Sequence, residues 1–260
     1  MCGIFGFALT KPVPLVKAFK VLEKLEAHKY PGEPKPVGGY GAGIAILEGD
    51  RNVMLKKAGK VDGSPVGCLS KIVNVAETSV LVGHVRMPSP WFIETACFKE
   101  TAQPYLTCCY PDLKVISVHN GNFVNYKEIR EKLSGVHTFE SEEIELIDSE
   151  VIPHFFEEML KEKMETDEAL DALFSALKGP NALSLLQIEE ERVFLHFIHK
   201  GKTRGLTIWT NKQNEVIFCS RKEPLVEEFG SILVQGKFKE KVLIPYHEDV
   251  SLKLSFPLNF

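Results

Sequence analysis

The sequence predicts an α+β fold in a single domain that spans residues 1–260. Strand-like runs dominate both ends of the chain, and segments with helical spacing lie between them. This segregation favours stacked sheets and helices around a common core. A chain of 260 residues that is 44% hydrophobic can bury a large core, and it contains no internal repeat, low-complexity tract or linker.

The first half of the chain predicts two helices and several strands. Ile4, Phe5 and Phe7 indicate a short buried strand. Apolar spacing predicts a helix over residues 14–28, and a second is predicted over 64–75, where Pro65 is acceptable in the first turn. Further strands are predicted over residues 43–47, 53–56, 80–85 and 113–118, with a polar turn over 49–52 and irregular stretches over 30–43 and 87–111.

The second half predicts helices followed by strands. Asn125 is expected to cap a helix over residues 126–133, and Gly179-Pro180 is expected to close the last helix. The other two helices are predicted over residues 149–161 and 167–177. Strands are predicted over residues 182–188, 193–198, 206–210, 216–219 and the tail 232–254, with hairpin-like connections over 189–191 and 211–214.

Composition and charge exclude several classes of function. A formal net charge of −4 gives no general attraction to nucleic acid or to an anionic membrane. No apolar run approaches the length of a membrane span, and the N-terminus lacks a secretory signal pattern. The six cysteines show no paired spacing suited to zinc, and Cys108-Cys109 are expected to be reduced thiols. We therefore expect a cytoplasmic protein with no metal and no organic cofactor.

Cys2 is the residue around which the chemistry is organised. Aminopeptidases remove an initiator methionine that precedes a small residue, so Cys2 would then carry both a thiol and a free α-amine. These groups titrate at roughly 8.5 and 7.7–8.0, so part of the amine is available as a base at neutral pH. A terminal amine beside a nucleophile is an established means of activation. Alternatively, Cys2 is an ordinary small apolar residue at a chain terminus.

Five ordered blocks, spread over nearly the whole chain, resemble the class II glutamine amidotransferase domain of the N-terminal-nucleophile hydrolase fold. Each block alone is weak evidence, whereas five in the right order are specific. The blocks are Cys2-Gly3-Ile4-Phe5-Gly6, Gly83-His84-Val85-Arg86, His119-Asn120-Gly121 with Asn125, Asp148-Ser149-Glu150-Val151-Ile152, and Ser220-Arg221-Lys222-Glu223-Pro224-Leu225.

The resemblance implies an αββα sandwich, in which two antiparallel sheets lie between helical layers and Cys2 sits at the end of a central strand. It implies that Cys2 attacks the side-chain amide of glutamine to give a γ-glutamyl thioester and ammonia, with its own α-amine moving the proton. The Asn120 side chain and the Gly121 backbone N–H would form the oxyanion hole. Taken singly, Asn120-Gly121 is also a common turn sequence.

The resemblance also implies how L-glutamine is recognised. Arg86 would pair with the substrate α-carboxylate, and Asp148 would hold the α-ammonium. His84 and His119 would lie beside this substrate-binding site as structural neighbours rather than as bases. Judged alone, Arg86 is as consistent with a solvated surface charge, and Asp148 with a charge at a helix N-terminus.

Two departures from the family pattern bear on the substrate. The family usually has threonine before the arginine and hydroxyl residues after it, whereas this chain has Val85, Met87, Pro88 and Ser89. The family also has asparagine where this chain has Thr101, two residues before Gln103. The first change falls in a loop that closes over glutamine in the family. Together, the two changes are compatible with an amide substrate other than glutamine.

The chain contains no phosphate-binding loop or dinucleotide fingerprint. We therefore expect a stand-alone glutaminase subunit that passes ammonia to a separate synthetase or transferase subunit, with homo-oligomerisation left open. Two alternatives remain: a self-sufficient hydrolase of a γ-glutamyl or other amide, and a non-catalytic binding or regulatory subunit. Retention of Met1 would favour the non-catalytic alternative, because the amine base would then be absent.

Overall fold

The computed structural model describes residues 2–30, 33, 35–49, 52–162, 164–190 and 192–258. The strands are β1 (Gly3–Pro14), β2 (Gly41–Glu48), β3 (Asn52–Gly59), β4 (Glu77–Val85), β5 (Tyr105–Tyr110), β6 (Leu113–Gly121), β7 (Asn181–Ile188), β8 (Val193–Lys202), β9 (Leu206–Thr210), β10 (Val216–Cys219), β11 (Lys239–Ile244) and β12 (Asp249–Leu258). The helices are α1 (Leu15–Ala27), α2 (Pro65–Ile72), α3 (Tyr126–Arg130), α4 (Asp148–Lys161), α5 (Thr166–Ala176) and α6 (Lys222–Gln235).

The strands form two antiparallel sheets. The larger has the order β11-β9-β10-β1-β4-β2-β3, and the smaller has the order β12-β8-β7-β6-β5. Strand β1 is therefore central in its sheet, with β10 on one side and β4 on the other. The start of β1, directly after Cys2, is therefore paired with β4 from Gly3 and with β10 from Phe5.

Helices cover the outer face of each sheet. Apolar residues of α1, α2 and α6 pack on the outer face of the larger sheet, with Leu22 and Phe229 fully buried. Residues of α4 and α5 do the same on the smaller sheet, where Phe156 and Leu173 are fully buried. A third core, which includes Ile4, joins the two inner faces. The predicted αββα sandwich is confirmed.

Most of the predicted elements lie where the sequence placed them, and β10 has the predicted bounds. Strand β1 is longer than the short run around Phe5, because it continues to Pro14. Ser64 caps α2 by accepting a hydrogen bond from the Gly67 backbone N–H (2.8 Å). The turn and connection predicted at Asp50, Arg51 and Glu191, and part of the loop over 30–43, fall outside the described residues.

Four structural predictions are wrong. The stretch 87–111, predicted as irregular, contains β5 and two 3-10 turns, Pro90–Thr95 and Lys99–Thr101. The tail 232–254 is not all strand, because its first residues complete α6. Helix α3 ends at Arg130 rather than at 133, and the Asn125 side chain does not cap it. Instead it donates to the Ala176 carbonyl (3.1 Å) and accepts from the Lys178 N–H (3.2 Å).

The remaining chain-wide predictions concern cysteines and membrane spans. All six cysteines are free thiols, as the sequence led us to expect for Cys108 and Cys109. Within the described ranges, no helix is both long and apolar enough to cross a membrane.

Candidate active site

Cys2 lies directly before β1, at the edge of a small closed cavity. Its Sγ lies 3.3 Å from the backbone nitrogen of Met87 and 3.4 Å from the carbonyl oxygen of the same residue. Side chains alternate along a strand, so Cys2 faces the same inner side of the sheet as Ile4. Ser220 fixes this end of β1, because its Oγ accepts from the Ile4 N–H (3.2 Å) and its N–H donates to the Ile4 carbonyl (2.8 Å).

Arg86 follows the last residue of β4 and turns its guanidinium into the same cavity. Nη1 donates to Thr101 Oγ1 (2.6 Å) and to the Thr95 carbonyl (3.3 Å), and Nη2 donates to Thr95 Oγ1 (2.7 Å). These bonds within the described residues use three of the five N–H donors of an arginine and leave two for a ligand. Arg86 is only 4% exposed, so it is not the solvated surface charge that a lone arginine would suggest.

Asp148 is the first residue of α4 and lines the same cavity as Arg86. Its Oδ2 accepts from the Phe123 N–H (2.9 Å), and its Oδ1 accepts from the Ser149 N–H (2.8 Å). These contacts fix the carboxylate orientation, and the N-terminal end of the α4 dipole favours its negative charge. A cation and an anion thus border one cavity with the Cys2 thiol.

Asn120 and Gly121 end β6 in the other sheet. Ile116 and Val118 of this strand face the core between the sheets, so alternation places Asn120 on that inner side, as it does Cys2. The Asn120 side chain is fully buried, and neither of its amide atoms has a hydrogen-bond partner in the described part of the chain. Gly121 has φ 154°, and a Cβ there would lie 2.3 Å from the Pro180 carbonyl oxygen, so glycine is required.

His119 is held as a structural residue beside the cavity. Asn181 Oδ1 accepts from His119 Nε2 (2.8 Å), because the Asn181 amide nitrogen is already committed to the Gly179 carbonyl (2.8 Å). His119 Nδ1 is then the acceptor for the Ser149 hydroxyl (2.8 Å). Burial lowers the pKa of His119, which keeps this ring neutral. With both nitrogens engaged, the ring positions β6 against α4.

His84 lies on β4 between Ile4 of β1 and Gly43 of β2. The side chain is fully buried, and burial together with the positive charge of Arg86 lowers the pKa of His84 well below its ordinary value. A neutral, enclosed imidazole of this kind is suited to packing and not to proton transfer near pH 7.

The segment over residues 87–101, called the lid here, forms one wall of the cavity. Met87, Pro88, Ser89 and Phe92 line it, and the Phe92 ring meets Tyr126 of α3 edge-on at 6.3 Å between centroids. The enclosed volume is about 50 Å³. Pockets that enclose small-molecule ligands are typically about 300–1,000 Å³. Trp91, at the surface of the lid, is 85% exposed. In this conformation the cavity is therefore too small to enclose a whole amino acid.

The cavity brings together five of the seven predicted site residues: Cys2, Arg86, His119, Gly121 and Asp148. His84 and Asn120 lie buried next to it and do not line it. Sequence reasoning missed the residues that orient this set. Thr95 holds Arg86, and Asn181 holds His119. Neither carries a recognisable pattern, since each is defined only by a contact between distant parts of the chain.

An αββα sandwich with a cysteine at the start of a central strand defines the N-terminal-nucleophile hydrolase fold. A model of the glutamine amidotransferase domain family matches residues 93–227 of the chain, just over half of it. The chain therefore belongs to the glutamine amidotransferase domain family, and within it to class II.

Relatives of known name agree with this family. Glutamine–fructose-6-phosphate aminotransferase (isomerizing) from Sulfurisphaera tokodaii is 30% identical over 197 residues, which cover 75% of this chain and 30% of that protein. The protein of the same name from Nostoc sp. is 28% identical over 242 residues, which cover 92% of this chain and 31% of that protein. The chain thus spans about a third of the length of these relatives.

Solved structures share the fold. Glutamine phosphoribosylpyrophosphate amidotransferase from B. subtilis superposes with a TM-score of 0.62 at 17% identity, over 97% of this chain and 49% of that one. A structure described as the allosteric regulatory enzyme of purine biosynthesis gives a TM-score of 0.64 at 16% identity, over 97% of this chain and 48% of that one. At these identities the likeness concerns the fold alone.

Proposed function

We propose that this chain hydrolyses L-glutamine to glutamate and ammonia through a thioester on Cys2. The observation that carries the proposal is the shared cavity of the Cys2 thiol, the Arg86 guanidinium and the Asp148 carboxylate. An α-amino acid carries one carboxylate and one ammonium, so paired opposite charges select its head group. A thiol in the same cavity then faces the side chain of the bound amino acid.

The reaction needs a free α-amine on Cys2, and we propose that Met1 is removed to supply it. Met1 lies outside the described residues. The thiol proton passes to this amine as Sγ attacks the substrate Cδ, and the oxyanion is stabilised by the Asn120 amide and the Gly121 N–H. The amine returns the proton to the departing ammonia, which leaves a γ-glutamyl thioester. Water activated by the same amine then cleaves the thioester, releases glutamate and restores the thiol.

We also propose that ammonia passes to an acceptor enzyme on another chain. The relatives are named for an amino transfer from glutamine to fructose 6-phosphate, a reaction that needs an acceptor beside the glutamine site. The test is the coupling itself. If ammonia is consumed elsewhere, the purified chain alone should turn over slowly and a partner recovered from its source should accelerate it. Rapid, partner-independent turnover would contradict this part.

A second candidate is hydrolysis of a different amide, and the lid favours it. Met87 and Pro88 line the cavity where the family has hydroxyl residues, so the substrate side chain meets a less polar surface. A panel of γ-glutamyl amides and simple amides, compared by kcat/KM, distinguishes the candidates. Glutamine as the best substrate supports the first proposal, and a preference for another amide supports the second.

The mechanism is tested by incubating the chain with a diazo-ketone analogue of glutamine, followed by peptide mass spectrometry. A peptide that begins at Cys2 and carries the adduct is the expected result. Cys2→Ala should lose both adduct and activity, whereas the matched control Cys97→Ala, an exposed thiol in the lid, should keep both. An adduct on Cys97 or Cys108 contradicts the assignment of the nucleophile. A peptide that retains Met1 without an adduct favours a non-catalytic binding or regulatory subunit.

A further inference from the structure

A second cluster of reactive side chains lies on the outer side of the smaller sheet, under α4. Cys109 comes from β5, His137 from the connection between α3 and α4, and His154 and Glu157 from α4 itself. One potential ligand atom from each of these four residues lies within 4.8 Å of the other three. His154 and Glu157 are three positions apart, so they project from the same face of the helix.

The distances within this cluster match those around a small cation. His154 Nδ1 is 3.0 Å from His137 Nδ1 and 3.7 Å from Cys109 Sγ, and His137 Nδ1 is 3.5 Å from Glu157 Oε2. Tetrahedral ligands at 2.0–2.3 Å from Zn²⁺ are about 3.3–3.8 Å from one another. Two of these three separations fall in that range, the third is about 0.3 Å below it, and every pair of the four atoms lies within 4.8 Å, so the four atoms surround a space that one ion can fill.

One atom in the cluster lacks the partner that burial demands. Glu157 is fully buried, and its Oε2 has no hydrogen-bond partner among the described residues. Its other oxygen, Oε1, accepts from the Cys109 N–H at 2.9 Å, which fixes the carboxylate with Oε2 turned towards His137. A buried carboxylate oxygen without a partner is destabilising, and a bound cation would satisfy it.

The surrounding residues orient the His137 imidazole in the way that metal sites require. His137 Nε2 bonds to Glu158 Oε2 (2.8 Å), which also accepts from Tyr110 (2.7 Å) and Ser134 (3.0 Å). A carboxylate at Nε2 places the proton there and leaves the Nδ1 lone pair facing His154. This carboxylate–histidine pairing is the usual outer shell of a zinc-bound histidine.

We propose that Cys109, His137, His154 and Glu157 bind one Zn²⁺ as a closed structural site. A thiolate, two imidazoles and a carboxylate are ligand types that Zn²⁺ takes in tetrahedral geometry, and four protein ligands leave no open position for catalysis. Binding converts the Cys109 thiol to a thiolate and releases its proton to solvent. The site goes beyond glutamine hydrolysis and does not depend on it.

The ion would connect three segments that differ in sequence position by up to 48 residues, from Cys109 to Glu157. One of them is α4, whose first residue is Asp148, about 9 Å along the helix axis from His154 at 1.5 Å per residue. Zinc would therefore stabilise the helix that presents Asp148 to the cavity of Cys2. The sequence did not predict this site because no two of its ligands form a C-x-x-C or H-x₃-H pair.

The test uses the full chain, stripped of metal with a chelator and then titrated with Zn²⁺ against a chromophoric competitor. The expected result is one Zn²⁺ per chain and a rise in Tm on binding. Cobalt substitution gives a second readout, because Co²⁺ bound by Cys109 shows a thiolate charge-transfer band. Cys109→Ser should lose the band, whereas the adjacent and exposed Cys108→Ser should retain it.

Glu158→Gln serves as the variant that keeps all four ligands. It should still bind Zn²⁺, with affinity reduced roughly 10–100-fold through loss of the outer carboxylate. The proposal is overturned if the wild-type chain takes up no stoichiometric Zn²⁺, or if Cys109→Ser binds it as tightly as the wild type. The first outcome would leave the cluster as a hydrogen-bonded network of His137, His154 and two glutamates.

Discussion

The side-chain amide of Gln103 bonds to both backbone groups of His119. Gln103 Oε1 accepts from the His119 N–H at 2.6 Å, and Gln103 Nε2 donates to the His119 carbonyl at 3.1 Å. Gln103 thereby occupies the place of a strand neighbour for the last residues of β6, one residue before Asn120. It links the end of the lid to the strand that carries the proposed oxyanion hole.

Gln103→Leu should therefore affect both stability and turnover. Two buried backbone groups of His119 would lose their partners, at about 1–3 kcal/mol of unfolding free energy for each. We expect a lower urea midpoint and a lower kcat, because β6 would no longer hold Asn120 in register. Gln213→Leu, at an exposed position, is the matched control and should change neither. A Gln103→Leu chain with wild-type kcat would separate this contact from catalysis.

Asn120→Ala should lower kcat by about 10²–10³ and leave KM nearly unchanged, because an oxyanion-hole donor acts mainly in the transition state. Neither side-chain amide atom of Asn120 has a hydrogen-bond partner among the described residues, which leads to a second expectation, about stability. Removing a buried polar group that bonds to nothing should not reduce the free energy of unfolding by more than a small cavity term. Steady-state kinetics and urea unfolding test both, with exposed Asn52→Ala as control. A rise in KM alone would remove Asn120 from the oxyanion hole.

Arg86→Lys should raise KM for glutamine about 100-fold or more, even though it preserves the charge. A lysine lacks the planar fork that can bond to Thr95, Thr101 and a carboxylate together, and each charge-assisted bond contributes about 1.5–3 kcal/mol. The control is Arg192→Lys, where the arginine is exposed and pairs with Glu189. An unchanged KM in Arg86→Lys would exclude Arg86 as the carboxylate clamp.

Stability should fall in acid partly through His196. Burial lowers the pKa of His196 to about 3, and its Nε2 donates to Gln187 Oε1 at 2.8 Å. The unfolded chain takes up a proton below about pH 6.5 and the folded chain does not until about pH 3. The contribution of His196 to the free energy of unfolding is thus complete above pH 6.5. It is lost as the pH falls towards 3, at up to about 1.4 kcal/mol per pH unit.

Urea unfolding measured from pH 7 to pH 4 tests this slope. His196→Gln keeps a donor for Gln187 and cannot titrate, so its unfolding free energy should depend less steeply on pH than that of the wild type. Parallel slopes for the wild type and His196→Gln would show that His196 does not titrate differently on unfolding.

The spacing of apolar residues predicted most helices and strands correctly. It failed where packing against distant parts of the chain determines whether a segment is helix or strand. Ile232, Leu233 and Val234 resemble a strand, yet Leu225, Phe229 and Leu233 are buried together at a spacing of four, which makes this segment the end of α6. For the site, the family resemblance pointed to seven residues, and the structure brings five of them to one cavity. The residues that orient them could not be predicted, because Thr95 and Asn181 matter only through contacts made after folding.

The exposure of Trp91 has a practical consequence for watching the enzyme in operation. The chain has two tryptophans, and the other, Trp209, lies on β9 with its Nε1 donating to Thr207 Oγ1 at 3.1 Å. In a Trp209→Phe chain, indole fluorescence would come from the lid alone. Opening and closing could then be timed by stopped-flow emission with no attached dye, which would separate the gating step from the chemistry at the thiol.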